Sequence, residues 1–594
     1  MAASQLWYAA YNRLTMAHYQ SPTLTRPERF NFATDVVDYW AAQTPVPRAL
    51  FWTSRDGKQQ RDLSYKHFST QSHRIATLLD SLGVRRGDRL VIILPRIPEW
   101  WEIVTGCLRA GIVVCPSTTL LVAHDIEYRV NASQATVFVG DDVSCQKFAA
   151  VRDKCPQVKV VLKVNGSSGA AQSGVVDLFS ALSKVPSDAT FAAGSIRVED
   201  PAIIYFTSGT TGLAKMVLHN QISYPLAHTI TGKHWLRLKP GDLYWNLSEQ
   251  GWAKAAWSFF GTWNCGASLF IQDDRSAFDP FHLIDTLNKF PITTMCAPPT
   301  AYRQLVLDKC RKYFAANPPK ALNHVTGAGE PLNAEVIKIF KDMSGGLQIC
   351  DGYGQTETIM VCGNFAGNPI KPGSMGKPSP GVPLAVITEE GIEAPHHTEG
   401  DMAIRVSKES TTDGPSEFFG IFDGYILNGK AERRTRMAKD GKTVWYLTGD
   451  RATRDEDGYF WFVGRADDVI NSAGYRIGPF EVESVLKQHP GIVESAVVAS
   501  PDPERVEVVK AFIVLTDTYA EKNEEELKQA IQEFCKTNAA PYKYPRKIQF
   551  VPASFLPKTI SGKIQRNQLR KMEKEAYEAR NDGPKSVAGV AAKL

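Results

Sequence analysis

Residues 205–217 read Y-F-T-S-G-T-T-G-L-A-K-M-V. Gly209 and Gly212 let backbone amides come close to an anion, and Ser208, Thr210 and Thr211, with Thr207 before them, add hydroxyl donors. Lys215 brings a mobile point charge. Such a set suits phosphate. It is not the G-x-x-x-x-G-K-[ST] loop, because no glycine precedes Lys215 and Met216 follows it. A Gly/Ser/Thr loop is also a common linker. Its place after the apolar run 202–206 favours a ligand, since open α/β sheets bind ligands beyond the carboxyl ends of their strands.

Four more segments carry groups of this kind. Gly327-Ala328-Gly329-Glu330-Pro331-Leu332 follows a strand-like run at 324–326. Asp351-Gly352-Tyr353-Gly354-Gln355-Thr356-Glu357-Thr358 joins a ring, hydroxyls and carboxylates within a few residues. Thr448-Gly449-Asp450 is followed by Asp457-Gly458-Tyr459 and then Gly464-Arg465. Leu556-Pro557-Lys558-Thr559-Ile560-Ser561-Gly562-Lys563-Ile564 stands near the C-terminus. Taken singly, an aspartate in a turn or a lysine beside glycine is ordinarily a solvated surface group.

The elements that position these groups alternate. Runs 89–94, 112–115, 135–139, 202–206 and 267–271 read as strands, with helices at 98–109 and near 220–231. This alternation predicts an α/β fold with parallel, doubly wound sheets. Glycine and proline crowd 369–383, and strand-like runs at 401–406, 444–447 and 459–463 predict a β-rich subdomain over about 370–465. Beyond it a smaller α+β unit is expected, with a helix at 481–488 and strands at 493–500 and 511–515. A helix at 524–536 would start at an Asn523 cap and turn Leu527, Ile531 and Phe534 to one face. The acidic run Glu524-Glu525-Glu526 suits its first turn. The expected division is an N-terminal arm 1–30, a large domain 31–466, a small domain 467–572 and a tail 573–594.

Composition narrows the class. A chain of 594 residues is too long for one ordinary core, and 43% hydrophobic with 22% charged residues is ordinary for a globular protein. A net charge of +5 does not argue for nucleic acid. Ten scattered cysteines form no C-x-x-C pair, which points to reduced thiols and gives no zinc signature. No apolar run is long enough for a membrane-spanning helix. Glu28 is the first acidic residue, after Arg13 and Arg26, a bias compatible with a mitochondrial transit peptide. The chain closes on Ala592-Lys593-Leu594, a variant of the S-K-L address, which predicts a peroxisomal import receptor as partner, with the mitochondrial matrix as the alternative.

Taken in order, the five motifs resemble those of the adenylate-forming superfamily, which contains acyl-CoA synthetases, luciferase and peptide-synthetase adenylation domains. The likeness spans about residues 30–572. Lys215-Met216, Gly251-Trp252-Ala253-Lys254 and Asn471-Ser472-Ala473-Gly474-Tyr475-Arg476-Ile477-Gly478-Pro479 look most like the medium-chain acyl-CoA synthetases. Ala214 departs from the family, which usually has a stiffening proline before the loop lysine.

The resemblance implies ATP, Mg²⁺ and coenzyme A as ligands, with a carboxylic acid as substrate. Thr207, Ser208, Gly209, Thr210, Thr211, Gly212 and Lys215 would wrap the departing phosphates. Gly329, Glu330 and Pro331 would face the adenine on one side with Tyr353 on the other, and Asp351, Gly352, Gly354 and Gln355 would also meet the nucleotide. Thr356 would touch the α-phosphate, and Thr211 and Glu357 would face Mg²⁺. Asp450 would accept the ribose hydroxyls and Arg465 donate to the same sugar. Lys563 would bridge carboxylate and α-phosphate in the first half-reaction. Asp467 matches the hinge about which the small domain turns. Ala473, Gly474, Tyr475, Arg476, Arg505 and Arg546 would meet coenzyme A.

Trp252, Ala256, Phe260, Trp263, Gly329 and Gly354 would line the acid pocket. The row from Trp252 to Phe260 could equally be core on a helical face. Glycine at 354, where acetate-specific relatives carry tryptophan, implies an open pocket for a medium-chain or aryl acid. The expected function is acid–CoA ligation through an acyl-adenylate, releasing AMP and pyrophosphate. Transfer to a carrier-protein thiol is the alternative, although no carrier domain follows residue 572. A nucleotide sensor that kept the fold without the chemistry is the reading from another class.

Overall fold

The computed structural model describes residues 26–164, 174–207, 214–330, 332–406, 418–427, 429–472, 475–503, 505–538, 543–559 and 563–581. The first sheet orders its strands Lys430–Glu432, Gly424–Leu427, Lys215–Asn220, Pro201–Thr207, Val113–Pro116, Arg89–Ile93, Val137–Gly140, Val160–Lys163 and Val175–Asp177. From Pro201–Thr207 to Val175–Asp177 neighbours are parallel, while Lys215–Asn220 and Gly424–Leu427 are antiparallel additions. Helix Ala123–Ser133 lays Ile126 and Val130 against Val91, Phe138 and Ile204. Burying one such side chain contributes roughly 1.5–3 kcal/mol.

One element differs from expectation. The helix expected near 220–231 is confined to His228–Ile230, followed by a π-helical turn at Thr231–Trp235, and before it Lys215–Asn220 is a strand with Thr207 opposite Lys215. Lys215 therefore stands on a strand, not at a helix N-terminus as in a Walker loop.

The second sheet runs Lys377–Pro378, Met360–Gly363, Ile349–Gly354, His324–Ala328, Thr294–Ala297, Leu243–Asn246, Ser268–Asp273, Arg48–Ser54 and Gln60–Ser64. The strands from Ile349–Gly354 to Arg48–Ser54 are parallel, with antiparallel edges. Helices Pro280–Lys289 and Ala334–Met343 press Leu283, Leu287, Ile337 and Phe340 onto Met295, Val325 and Ile349. The β-rich stretch forms a third sheet, ordered Leu384–Ile387, Gly400–Arg405, Val444–Arg454 and Thr435–Met437, with Phe460–Arg465 beside Val444–Arg454.

The chain divides into two compact units. The first takes the residues up to Leu384 with Ile404–Tyr446 and Asp457–Phe460; the second takes Ala385–Ala403, Leu447–Glu456 and the chain from Trp461 onward. In the second, strands Tyr475–Ile477, Ile470–Ser472, Val506–Leu515 and Ile492–Asp502 form a sheet in that order, with Lys547–Phe550 parallel to Val506–Leu515.

Helix Glu524–Asn538 begins as expected, the Asn523 side-chain oxygen accepting from the Glu525 and Glu526 amides at 3.1 Å each. Its buried row is Leu527, Ile531 and Cys535. Phe534 instead meets the His489 ring edge-on at 5.2 Å. Helix Arg566–Asn581 is fastened along one face. Arg566 grips the buried Glu483 carboxylate at 2.6 and 2.8 Å, Arg570 bonds Asp468, and Glu573 accepts from Ser500 at 2.8 Å.

The turn into strand Val506–Leu515 is strained. Val506 has φ +67° and is 77% exposed. A β-branched residue in the left-handed region costs on the order of 1–2 kcal/mol, and the loss of unfolded-chain restriction on going to glycine returns part of that. Val506→Gly should therefore stabilise the chain by about 0.5–1 kcal/mol. A rise in the chemical-denaturation midpoint checks this; a fall refutes it.

Candidate active site

Two neighbouring parallel strands of the second sheet bring their carboxyl ends together. Ala328 pairs with Gly352, so Gly329, just past its strand, comes beside Tyr353, which still pairs with Cys362 on the other side. Gly329 has φ +111°, and a Cβ there would lie 1.9 Å from the Lys254 Nζ, which donates to the Ala328 carbonyl at 3.0 Å. Only glycine fits that position. Glu330 accepts from Arg303 at 3.0 Å. Asp351 turns inward: its carboxylate accepts from the Gly352 amide at 3.0 Å and from the Leu332 backbone, and burial holds its pKa well above the carboxylate range. It ties the segment around Glu330 to the segment around Tyr353.

Thr356 and Glu357 are held from two sides. His219 donates from Nε2 to the Thr356 carbonyl at 2.8 Å, and the Tyr224 hydroxyl donates to the same oxygen. A carbonyl only accepts, so the hydrogen sits on Nε2 and Nδ1 receives the Ser223 hydroxyl at 2.9 Å. Burial pushes the His219 pKa down to about 3 and keeps the ring neutral. Its ring stacks on Tyr224 at 3.4 Å between centroids. On the other side Glu357 accepts at its carbonyl from the Phe422 amide (2.8 Å) and at Oε1 from the Tyr425 hydroxyl (2.6 Å). Lys215 Nζ lies 5.0 Å from the Tyr425 ring centroid. His219 and Lys215 share one strand, and Tyr425 stands on its partner, opposite Val217.

Ala214, just before Lys215, is pinned as well: the Tyr128 hydroxyl donates to its carbonyl at 2.6 Å. Ser208, Gly209, Thr210, Thr211, Gly212, Pro331, Ala473 and Gly474 lie outside the described residues, as do the N-terminal arm to residue 25 and Ala592-Lys593-Leu594.

The acid-pocket row divides. Helix Lys254–Asn264 starts after Trp252, so Trp252 lies on the preceding turn and not on the helical face expected for it. Ala256, Phe260 and Trp263 are fully buried. Phe260 meets Phe32 edge-on at 4.9 Å, while Trp263 stacks on Phe32 at 6.3 Å and donates its indole N–H to the Ala49 carbonyl at 3.0 Å. Phe260 and Trp263 thus both pack against Phe32. Gly354 has a backbone reason of its own: a Cβ there would lie 2.7 Å from the Ile359 carbonyl oxygen.

In the second unit Arg465 links two carboxylates, its Nε lying 3.5 Å from Asp450 and 3.6 Å from Asp467. Asp450 is almost wholly buried, and its amide donates to the Thr448 hydroxyl at 3.2 Å. Lys563 stands exposed at the end of a short hairpin: the Thr559 amide donates to the Lys563 carbonyl (2.8 Å) and the Lys563 amide to the Thr559 hydroxyl (3.1 Å). The Arg505 amide is held by Asp502 at 3.0 Å. The Tyr544 ring lies 4.9 Å from both the Arg546 guanidinium and the Lys536 ammonium.

A family model described as AMP-binding enzyme matches residues 37–412, and one for the AMP-binding enzyme C-terminal domain matches residues 481–563. The chain belongs to the AMP-binding enzyme family. This AMP-binding enzyme is 44% identical over 554 residues to human "Acyl-coenzyme A synthetase ACSM3, mitochondrial", covering 92% of this chain and 90% of that one. It is 43% identical over 579 residues to human "Acyl-coenzyme A synthetase ACSM4, mitochondrial", covering 96% and 95%. Its fold matches the crystal structure of the anthranilate CoA ligase AuaEII in complex with anthranoyl-AMP, with a TM-score of 0.78, 28% identity and 93% and 99% of the two chains covered.

The motifs of the AMP-binding enzyme were visible in its sequence; the residues that brace them were not. Lys254 stood in the Gly251-Trp252-Ala253-Lys254 segment, but Tyr224, Tyr425 and Tyr128 carry no motif signal. A faint one exists at His219, a polar side chain on the same strand face as Lys215 and Val217.

Proposed function

We propose that this protein is an ATP-dependent acid–CoA ligase that joins a carboxylate to AMP, releases pyrophosphate, and passes the acyl group to coenzyme A. The observation that carries this reading is the bracing of Thr356 and Glu357 from strand Lys215–Asn220 and its partner Gly424–Leu427. It gives a hydroxyl and a carboxylate fixed positions next to the strand that bears Lys215.

In the first half-reaction the acid's oxygen attacks the α-phosphorus and the bond to pyrophosphate breaks. Two anions meet, so the demand on the protein is positive charge and fixed geometry. Lys563 supplies the cation to the attacking carboxylate and α-phosphate, Thr356 a hydroxyl donor to the same phosphate, and Lys215 a cation for the leaving group. Asp450 and Arg465 hold the ribose. Among the described residues no three His, Cys, Asp or Glu side chains converge as a metal cage. The lone carboxylate of Glu357 fits Mg²⁺, which is commonly held by one or two carboxylates together with substrate phosphates. Such an ion would neutralise charge on the phosphates.

In the second half-reaction the coenzyme A thiol takes the acyl group and AMP leaves. A large domain over 31–466 and a small one over 467–572, turning about Asp467, would exchange Lys563 for the segment around Gly474. The cations flanking Tyr544, together with Arg476 and Arg505, suit the purine and phosphates of coenzyme A. The substrate is a medium-chain or aryl acid, entering beside Trp252, Gly329 and Gly354. The relatives' names support this class, among them the anthranilate ligase.

The test is pyrophosphate release by the purified chain over acetate, hexanoate, octanoate and benzoate. Release should be fastest with one of the latter three; a preference for acetate overturns the substrate class, and no release with any acid counts against the ligase. The word mitochondrial in the relatives' names supports a mitochondrial location, against the peroxisomal reading of Ala592-Lys593-Leu594. Imaging cells that express the chain with and without Leu594 separates the two.

A further inference from the structure

We propose that Tyr425 is a positioning residue that holds the Glu357 carboxylate and the Lys215 ammonium in one frame, and that its hydroxyl sets how tightly a divalent cation is retained with the nucleotide. The inference rests on the assignment of Glu357 as the cation's carboxylate.

Three observations support it. The Tyr425 hydroxyl donates to Glu357 Oε1 at 2.6 Å, a short charge-assisted bond that fixes one carboxylate oxygen and leaves Oε2 to turn to another partner. The Glu357 main chain is fixed independently, its carbonyl accepting from the Phe422 amide at 2.8 Å, so the phenol restrains what the backbone does not. Lys215 Nζ lies 5.0 Å from the ring centroid, within cation–π range, and Phe422 packs edge-to-face with the same ring at 5.0 Å. Strand Gly424–Leu427 carries the tyrosine, and its pairing of Tyr425 with Val217 sets the ring beside the lysine strand.

The physical consequence is a division between ring and hydroxyl. A hard cation binds a carboxylate best when that carboxylate is already held in one rotamer, and outer-shell partners of metal ligands commonly govern affinity about tenfold to a hundredfold. The hydroxyl does that for Glu357. The ring, by contrast, faces the lysine assigned to the leaving group. Tyr425→Phe separates the two, since it keeps the ring and removes the hydroxyl that bonds Glu357.

The experiment is an electron paramagnetic resonance titration of Mn²⁺ into the full-length chain with α,β-methylene-ATP, which cannot be cleaved at the reacting bond. Thermal melting serves as the control for folding. Tyr425→Phe should weaken Mn²⁺ retention about tenfold with the melting temperature unchanged, and Glu357→Gln should weaken it at least as much. If Glu357→Gln weakens retention and Tyr425→Phe does not, the proposal is overturned while the metal assignment stands. If neither does, the assignment of Glu357 falls, and this proposal with it. Should Tyr425→Phe lower the melting temperature, Tyr425→His and Tyr425→Gln, which can place a donor near Glu357, decide: retention restored by either upholds the proposal, and by neither refutes it.

Discussion

Lys563→Ala should slow acyl-adenylate formation about a hundredfold to a thousandfold, the usual cost of removing one donor aimed at charge that develops in a transition state. The lysine sits exposed on a hairpin whose backbone bonds to Thr559 do not involve its side chain, so alanine leaves that hairpin's framework intact. Chemically synthesised acyl-adenylate supplied with coenzyme A should still be turned over by the variant at close to the parent rate, because that step needs no attack on the α-phosphorus. Pyrophosphate exchange and thioester formation, measured separately on one preparation, read the two halves. Equal loss in both would mean that Lys563 is not confined to the first. Undiminished exchange would remove it from the chemistry altogether. A nucleotide sensor would show no turnover to lose.

Stability should fall as the pH drops from 6.5 to 5. His219, His228 and His324 are buried and neutral, their pKa values lowered chiefly by burial: His219 to about 3, His324 to about 4 and His228 well below the usual 6.5. Their partners are Thr356 and Ser223 for His219, Thr231 for His228 and the Trp235 carbonyl for His324; the Thr356 and Trp235 carbonyls favour the charged ring, and burial outweighs them. Below pH 6.5 the unfolded chain binds protons at these positions that the folded chain refuses, so unfolding takes up protons and acid favours it.

Two aspartates work the other way. Burial raises Asp351 well above its usual value and Asp423 to about 6, so the folded chain holds protons there that the unfolded chain has released. With His234, which burial likewise lowers to about 4, the balance is a net uptake of about one to two protons on unfolding, or roughly 1.4–2.7 kcal/mol lost per pH unit. Urea midpoints at pH 7 and pH 5 test the sign. A midpoint that holds steady or rises in acid refutes it. His324→Asn, which keeps a donor for Trp235, should flatten the slope by about one proton.

Much of the fold was legible because its signals are local. Continuous apolar strands between helical patterns announced the parallel sheets, and Arg89–Ile93 and Val137–Gly140 lie close to where the pattern put them. The Asn523 cap is one hydrogen-bonding side chain before one helix, and it was readable for that reason. The strand Lys215–Asn220 was not. Its partner, Pro201–Thr207, decides it, and a period-based reading sees one segment at a time. The role of Phe260 and Trp263 was hidden for a related cause: an aromatic row at helical spacing looks alike whether it faces a substrate or packs on Phe32, which both of them meet.

The sequence by itself determined which groups are available for the chemistry. Gly/Ser/Thr loops, Thr356-Glu357, Asp450, Arg465 and Lys563 are types that touch a nucleotide directly, and their identity and order are written along the chain. Only the tertiary structure decided what holds them. His219 reaches Thr356 across 137 positions, Tyr425 reaches Glu357 across 68, and Tyr128 reaches Ala214 across 86. Bracing of that kind is a matter of which strands pair and which side chains face one another after packing, and hydrogen bonds formed there leave no spacing to read.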